Sequence, residues 1–170
     1  MIRGTTPKKV NSQIKQIIDF LKLDYKEVTF LKLTKESKFI PELNNCHINN
    51  LVKMKLYGGS IVFGWLFYQD RINDFTEAQF HSVWCNENGK LIDITPREDK
   101  EKRVMFLPDK FRKIETKIYK TEPLVLTYDN IRLLNGQFQN GIKQVLGKVG
   151  DSLAYEYKLV PAHLTTQRSQ

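Results

Sequence analysis

The 170 residues carry a formal net charge of +8, with 41% hydrophobic and 11% aromatic side chains. That balance excludes a disordered chain, and no apolar run reaches the ~18 residues of a membrane-spanning helix. Two cysteines, Cys46 and Cys85, exclude a disulfide framework; with a basic N-terminus that lacks a secretory apolar stretch, the expectation is a cytoplasmic protein forming one domain over residues 1–170.

Along the chain, Val10, Ile14, Ile17, Ile18 and Leu21 recur at helical spacing, and Asn11 or Ser12 can cap the start, which predicts an amphipathic helix over 10–23. Residues 26–34 alternate and read as a strand; 35–45 read as a loop around Pro41. "CHINNLVKMKLY", 46–57, reads as a helix stopped by Gly58 and Gly59. Strands are predicted at 60–68, 78–85 and 90–95, with a polar loop at 69–77 and a turn at "NENG", 86–89. Beyond a charged loop at 97–103, a short strand is predicted at 104–109. Residues 111–120 and 124–130 are open between two strands and a strand with a helix. Residues 138–150 read as a short helix, 153–160 as an edge strand and 162–170 as a polar tail.

The charge is unevenly placed. Residues 1–35 hold eight Lys/Arg against three Asp/Glu, and 97–122 hold nine against six, whereas 40–96 hold four against six. A nucleic-acid binder puts its cations where the strand lies, so nucleic acid is not expected at a site within 40–96. The basic flanks are expected to be solvated faces, with contact to an acidic partner or an anionic surface as the alternative.

Chemistry concentrates in "NNCHINN", 44–50, and "EAQFHSVWCNENGKLIDITP", 77–96. A thiol attacks as its thiolate, and a helix N-terminus favours that form through its partial positive charge and unpaired N–H groups. The same N–H groups can hold the oxyanion of a tetrahedral intermediate. Cys46 stands at such a start, with Asn44 and Asn45 as capping or oxyanion donors. By itself a cysteine is more often a buried packing residue. A nucleophile also needs a base with an orienting acceptor. If the turn centres on Glu87, His81 lies directly opposite Asp93 on one face of a hairpin; a slip of one residue would separate them.

Cys at a helix start, His in a strand and Asp in the next strand, with "FHSVWCNENGKLIDITP", resembles the transglutaminase-like branch of the papain-like superfamily. The likeness covers residues 42–96. It implies Cys46 as nucleophile, His81 as base and Asp93 as orienting acid. It also implies an α+β fold, a papain/transglutaminase-like core in which the nucleophile helix packs on an antiparallel β-sheet. The sequence departs from that branch in "CHIN", which lacks its usual small and aromatic residues, and in a short His-to-Asp spacing.

His47 follows Cys46 and, at 100° around a helix, is expected off the thiol's face, as a structural residue or a wall of the substrate cleft. Trp84 is expected near the His–Asp pair, with core packing as the plainer role. Glu42 and Glu77 are candidates for a substrate amine or simple surface carboxylates. Zinc on Cys46, His47, His81 and Cys85 fits poorly, because two strand residues four apart are ~13 Å distant. The expected function is thiol-dependent acyl transfer or hydrolysis on a protein or peptide amide, without a cofactor. The alternative is a non-catalytic interaction module with basic flanks. The 97–170 region is expected to extend the sheet.

Overall fold

The computed structural model describes residues 4–119, 122–148 and 151–159. Helix α1 (Ser12–Leu21) begins where the Asn11 side chain accepts from the Ile14 N–H and ends at Lys22, which takes a left-handed conformation at φ 58°. A 3₁₀ turn (Tyr25–Glu27) leads to β1 (Thr29–Lys32), then α2 (Cys46–Tyr57), β2 (Ser60–Asp70), β3 (Phe75–Cys85), β4 (Leu91–Ile92) and β5 (Arg103–Pro108). Two further strands, β6 (Glu115–Tyr119) and β7 (Glu122–Tyr128), precede β8 (Ile131–Leu134), β9 (Gln137–Phe138), β10 (Gln144–Lys148) and helix α3 (Asp151–Glu156).

The fold is α+β with mainly antiparallel sheets. The larger sheet runs β1-β5-β2-β3-β8-β9, with β4 also on β3; the smaller runs β10-β7-β6. Among the described residues no helix is long and apolar enough to cross a membrane.

Period-two alternation gives the large sheet two buried faces. On one, Trp65, Phe67, Ala78, Phe80, Met105 and Leu107 pack under Ile14, Ile17, Ile18 and Leu21 of α1. Each such aliphatic side chain, fully buried, contributes about 1.5–3 kcal/mol. On the other, Leu31, Leu66, Tyr68, Val83, Val104 and Phe106 pack together. A third cluster joins Ile48 and Val52 of α2 to Phe39, Ile94, Val125, Leu153 and Ala154.

Three expectations are corrected. Residues 69–77 are mostly strand: β2 and β3 pair as far as Asp70↔Phe75, because buried Gln69 donates to Thr76 Oγ1 at 3.0 Å and Asp70 closes the turn by accepting from the Ile72 and Asn73 N–H groups. The helix expected over 138–150 gives way to strands: β9 at its start, and β10, which pairs with β7 from Gln144↔Tyr128 to Lys148↔Leu124. The edge strand expected at 153–160 is the short helix α3, whose Leu153 and Ala154 dock against the α2 cluster. In each case a tertiary partner outweighs a weak local pattern. The tail at 162–170 lies outside the described residues.

Gly64 on β2 lies opposite His81 and beside Pro108. A Cβ there would collide with the Leu107 carbonyl oxygen and meet the Phe106 ring at 2.6 Å. The missing side chain is what lets Phe106 stand edge-on to His81. Gly64→Ala is expected to cost about 3 kcal/mol, the upper end for overpacking, as read by urea unfolding; a cost below about 0.5 kcal/mol would show that this contact is soft.

Candidate active site

The asparagines of "NNCHINN" build the start of α2. Asn44 turns the chain at φ 56°, a conformation asparagine tolerates, and its N–H donates to the Pro96 carbonyl at 3.0 Å. Asn45 is the N-cap by position, but its side chain makes no cap hydrogen bond; it donates to Glu42 Oε2 at 2.6 Å. Buried Asn49 brackets the same loop, accepting from the Glu42 N–H and donating to the Glu42 carbonyl, both at 2.8 Å. Asn50 is fully buried and donates to the carbonyls of Cys46 and Ser82, each at 2.8 Å.

That last bond explains how a helix can serve a strand side chain. On the edge of β3 away from β2, β8 pairs with Phe75–Ala78 and β4 with Trp84–Cys85. Among the described residues no strand covers the interval between. The start of α2 approaches this gap through Asn50, so one helix end meets both faces of β3. Ser82, on one face, reaches His47 Nδ1 at 3.0 Å. His81 points to the other.

The hairpin register differs from expectation. Trp84 pairs with Ile92 and Cys85 with Leu91, which centres the turn on Asn88. The cause is the Asn86 side chain, which accepts from the N–H groups of Asn88 and Lys90, with Gly89 at φ 77° completing the turn. Val83, rather than His81, is therefore level with Asp93. A shift of two keeps side chains on the same face, and His81 Nε2 reaches Asp93 Oδ1 diagonally at 3.3 Å. Asp93 is fixed from behind: its backbone bridges Leu33 and accepts from the Thr34 N–H at 2.8 Å.

Cys46, His81 and Asp93 thus come together, all buried. With Nε2 of His81 committed to Asp93, Nδ1 is the nitrogen left for the thiol. Burial pushes the Cys46 thiol up, but the imidazoles of His47 and His81, by charge and hydrogen bonding, bring it well below an ordinary thiol. Burial pushes His81 down, but the charges of Cys46 and Asp93 raise it to about 10. Burial pushes Asp93 up, yet His81, Arg97 and the Thr95 N–H hold it below an ordinary carboxyl. These directions all favour a thiolate–imidazolium pair beside a carboxylate.

His47 departs from expectation. Its Nδ1 lies 3.6 Å from Cys46 Sγ and its Nε2 lies 3.3 Å from Thr127 Oγ1 of β7. The ring swings toward the thiol because Phe63, Phe80 and Ser82 pack around it. Trp84 does not screen the His–Asp pair: three residues from His81 on a strand, it faces the opposite side. Its indole N–H donates to the Gly58 carbonyl at 2.8 Å, and Lys53 lies over its ring. With Asn45 bound to Glu42, Asn44 is the asparagine at the helix start whose exposed side chain stands available. Glu42 binds Asn45 and the Leu153 N–H, and Glu77 binds Arg132; both are structural.

Sequence reasoning missed Arg97, Asn50, Ser82 and Thr127. Arg97 donates to Asp93 Oδ2 at 2.6 Å, both side chains buried. Its signal was available: an arginine four residues after the aspartate, within "DITPR", the one cation following Pro96 directly. Among the described residues no three His, Cys, Asp or Glu side chains are arranged to hold a metal ion.

Compared with known proteins, the chain matches no family model, no curated protein and no solved structure. The site's own geometry carries the functional argument.

Two outcomes test this description. Asn50→Ala leaves the Ser82 and Cys46 carbonyls without their buried donor and is expected to cost about 2 kcal/mol by chemical denaturation, while the reactivity of Cys46 falls as the helix start loosens. The second concerns the other end of α2, where Glu36 is bound by Lys53, Tyr57 and the N–H groups of Ser37 and Lys38. Burial pushes the Glu36 carboxyl up, but these partners bring it down to about 2. A carboxyl lowered by folding stabilises above its unfolded value and loses that contribution as pH falls. Glu36→Gln should flatten the stability profile between about 4.5 and about 2; an unchanged acid limb would rule Glu36 out as its source.

Proposed function

We propose that this chain is a thiol-dependent acyltransferase or hydrolase acting on protein or peptide amides. Its core would be of the papain/transglutaminase-like kind. The observation that carries the proposal is the buried Cys46 thiol at the first residue of α2, with His81 beside it and Asp93 behind His81.

The thiol proton already resides on His81 in the ion pair. Cys46 Sγ attacks the amide carbonyl carbon, and the carbonyl π electrons move to oxygen. That oxyanion lies at the helix start, where the Cys46 N–H and its neighbours have no intrahelical acceptor and the Asn44 amide is at hand. On collapse, the C–N bond breaks as His81 gives its proton to the leaving amine. Asp93 keeps the imidazole in the orientation needed for both transfers. A thioester remains on Cys46. Water, deprotonated by His81, then releases an acid; an amine in its place forms a new amide. On a main-chain amide the first outcome is proteolysis, on a glutamine side chain it is deamidation, and the amine route is crosslinking. Cys46, His81 and Asp93 perform the chemistry in all three, with no cofactor invoked.

The test is the pH dependence of alkylation by iodoacetamide, followed by peptide mass, with Cys85 as internal control. An ordinary thiol near 8.5 is less than about 1% thiolate at pH 6. Cys46 is expected to react at least about tenfold faster than Cys85 there, and His81→Ala to remove the advantage. Asp93→Asn should remove part of it. Equal rates for the two cysteines at every pH would instead favour the interaction module with basic flanks.

A further inference from the structure

The buried cluster contains more negative than positive charge if only the three central residues are counted. Cys46 as thiolate and Asp93 as carboxylate are two anions, and the His81 imidazolium is one cation. All three side chains are nearly or wholly excluded from water. A net buried charge of that kind is strongly unfavourable unless it is matched. The match lies on the far side of Asp93. Arg97 Nη1 donates to Asp93 Oδ2 at 2.6 Å, and the Arg97 side chain is only 7% exposed. The two carboxylate oxygens are thereby divided: Oδ1 takes His81 Nε2 and the Thr95 N–H, and Oδ2 takes the guanidinium.

Arg97 is itself anchored. Its Nη2 donates to the Glu101 carbonyl at 3.0 Å, and its Nε lies 3.7 Å from Asp99 Oδ1. The Glu101 carboxylate accepts from the Thr6 N–H at 3.1 Å, which holds this loop against the N-terminal segment. The charged and titratable groups around the cluster are therefore Cys46 and His47 from α2, His81 from β3, Tyr68 from β2, and Asp93, Arg97, Asp99 and Glu101 from the segment after β4. Asp99 is the more exposed partner of Arg97, at 28%, so water screens it; Asp93 is at 0%.

We infer that Arg97 is the counter-charge of this site, the positioning residue that lets a buried cluster hold a thiolate and a carboxylate around one imidazolium. The inference rests on the Cys46–His81–Asp93 proposal. Without the guanidinium Cys46, His81 and Asp93 together carry a net negative charge, with His47 Nδ1 beside the thiol at 3.6 Å. The least costly relief of that charge is a proton on Cys46, because His81 stays paired with Asp93. Arg97 would thus act on the thiol through Asp93 and His81 without touching substrate.

The experiment compares the wild-type chain with Arg97→Gln and Arg97→Lys. Glutamine keeps a donor for Asp93 but removes the charge; lysine keeps the charge but loses the planar fork. Two readouts are taken: the acid midpoint of Cys46 alkylation by iodoacetamide, and the titration of the His81 imidazole by NMR. In Arg97→Gln the acid midpoint of Cys46 alkylation is expected to rise by about one unit, which is a tenfold fall in rate at pH values below the wild-type midpoint. The His81 midpoint should stay high, and Arg97→Lys should stay within about threefold of wild type. If wild-type Cys46 shows no low acid midpoint, the triad itself falls and Arg97's role with it. If wild type shows it and Arg97→Gln keeps it, only the counter-charge is overturned. A fall of the His81 midpoint to an ordinary value in Arg97→Gln would mean that Asp93 has swung away, and would also overturn it. Should Arg97→Gln fail to fold by circular dichroism, Arg97→Lys decides: a tenfold loss with the charge retained would assign Arg97 to packing.

Discussion

A carboxylate taken wholly out of water has to be answered by fixed partners, and much of this structure can be traced to how Asp93 is answered. Its backbone is pinned by the end of β1, its first oxygen by Thr95 and His81, its second by Arg97. Two of these partners are themselves anchored. Arg97 is held by Glu101, and His81 lies in the middle of the long β2–β3 ribbon beside Gly64. The orientation of the imidazole is thus set by the fold as a whole, and the thiol inherits it.

The helix that carries Cys46 is bound into the same frame from a different direction. Asn49 and Asn45 tie its first turn to the Glu42 loop, and Asn50 ties it to β3. Glu42 also accepts from the Leu153 N–H of α3, while Thr127 of the smaller sheet reaches His47. Elements distant in sequence therefore converge within one or two bonds of Cys46. Anchors distributed over both sheets hold the start of α2 in place.

How much of this could be read from the chain depended on the range of the forces involved. The bounds of α2 were legible: Gly58 and Gly59 stop it at positive φ, and Asn45 stands at the cap position, although its side chain makes no cap bond. The juxtaposition of His81 and Asp93 was legible as a same-face pairing, since the alternation of a strand survives an even slip. The register itself was not, because it is set by the Asn86 side chain within the turn and "NENG" permits more than one closure. His47 was placed off the thiol by ideal helix geometry, which neglects the aromatic wall of Phe63 and Phe80 that turns its ring. Arg97 had a local signal in "DITPR" but stands among charges that look like a solvated loop, and Asn50 was hidden because its partner is a backbone carbonyl 32 residues away. The segments at 138–150 and 153–160 carry patterns too short to outweigh docking onto β7 and α2.

The interval on β3 between its contacts with β8 and β4 has a consequence outside chemistry. Exposed strand edges invite pairing with other chains, and proteins cover them with short strands, charges or helices. Here the cover is the start of α2, so the residues that present the thiol also shield a stretch of sheet edge. Selection at this position would act on two properties at once. Even with no reaction at Cys46 there would be reason to keep the helix end and its asparagines, because losing them would expose an adhesive edge. The form of the site could then outlast its chemistry.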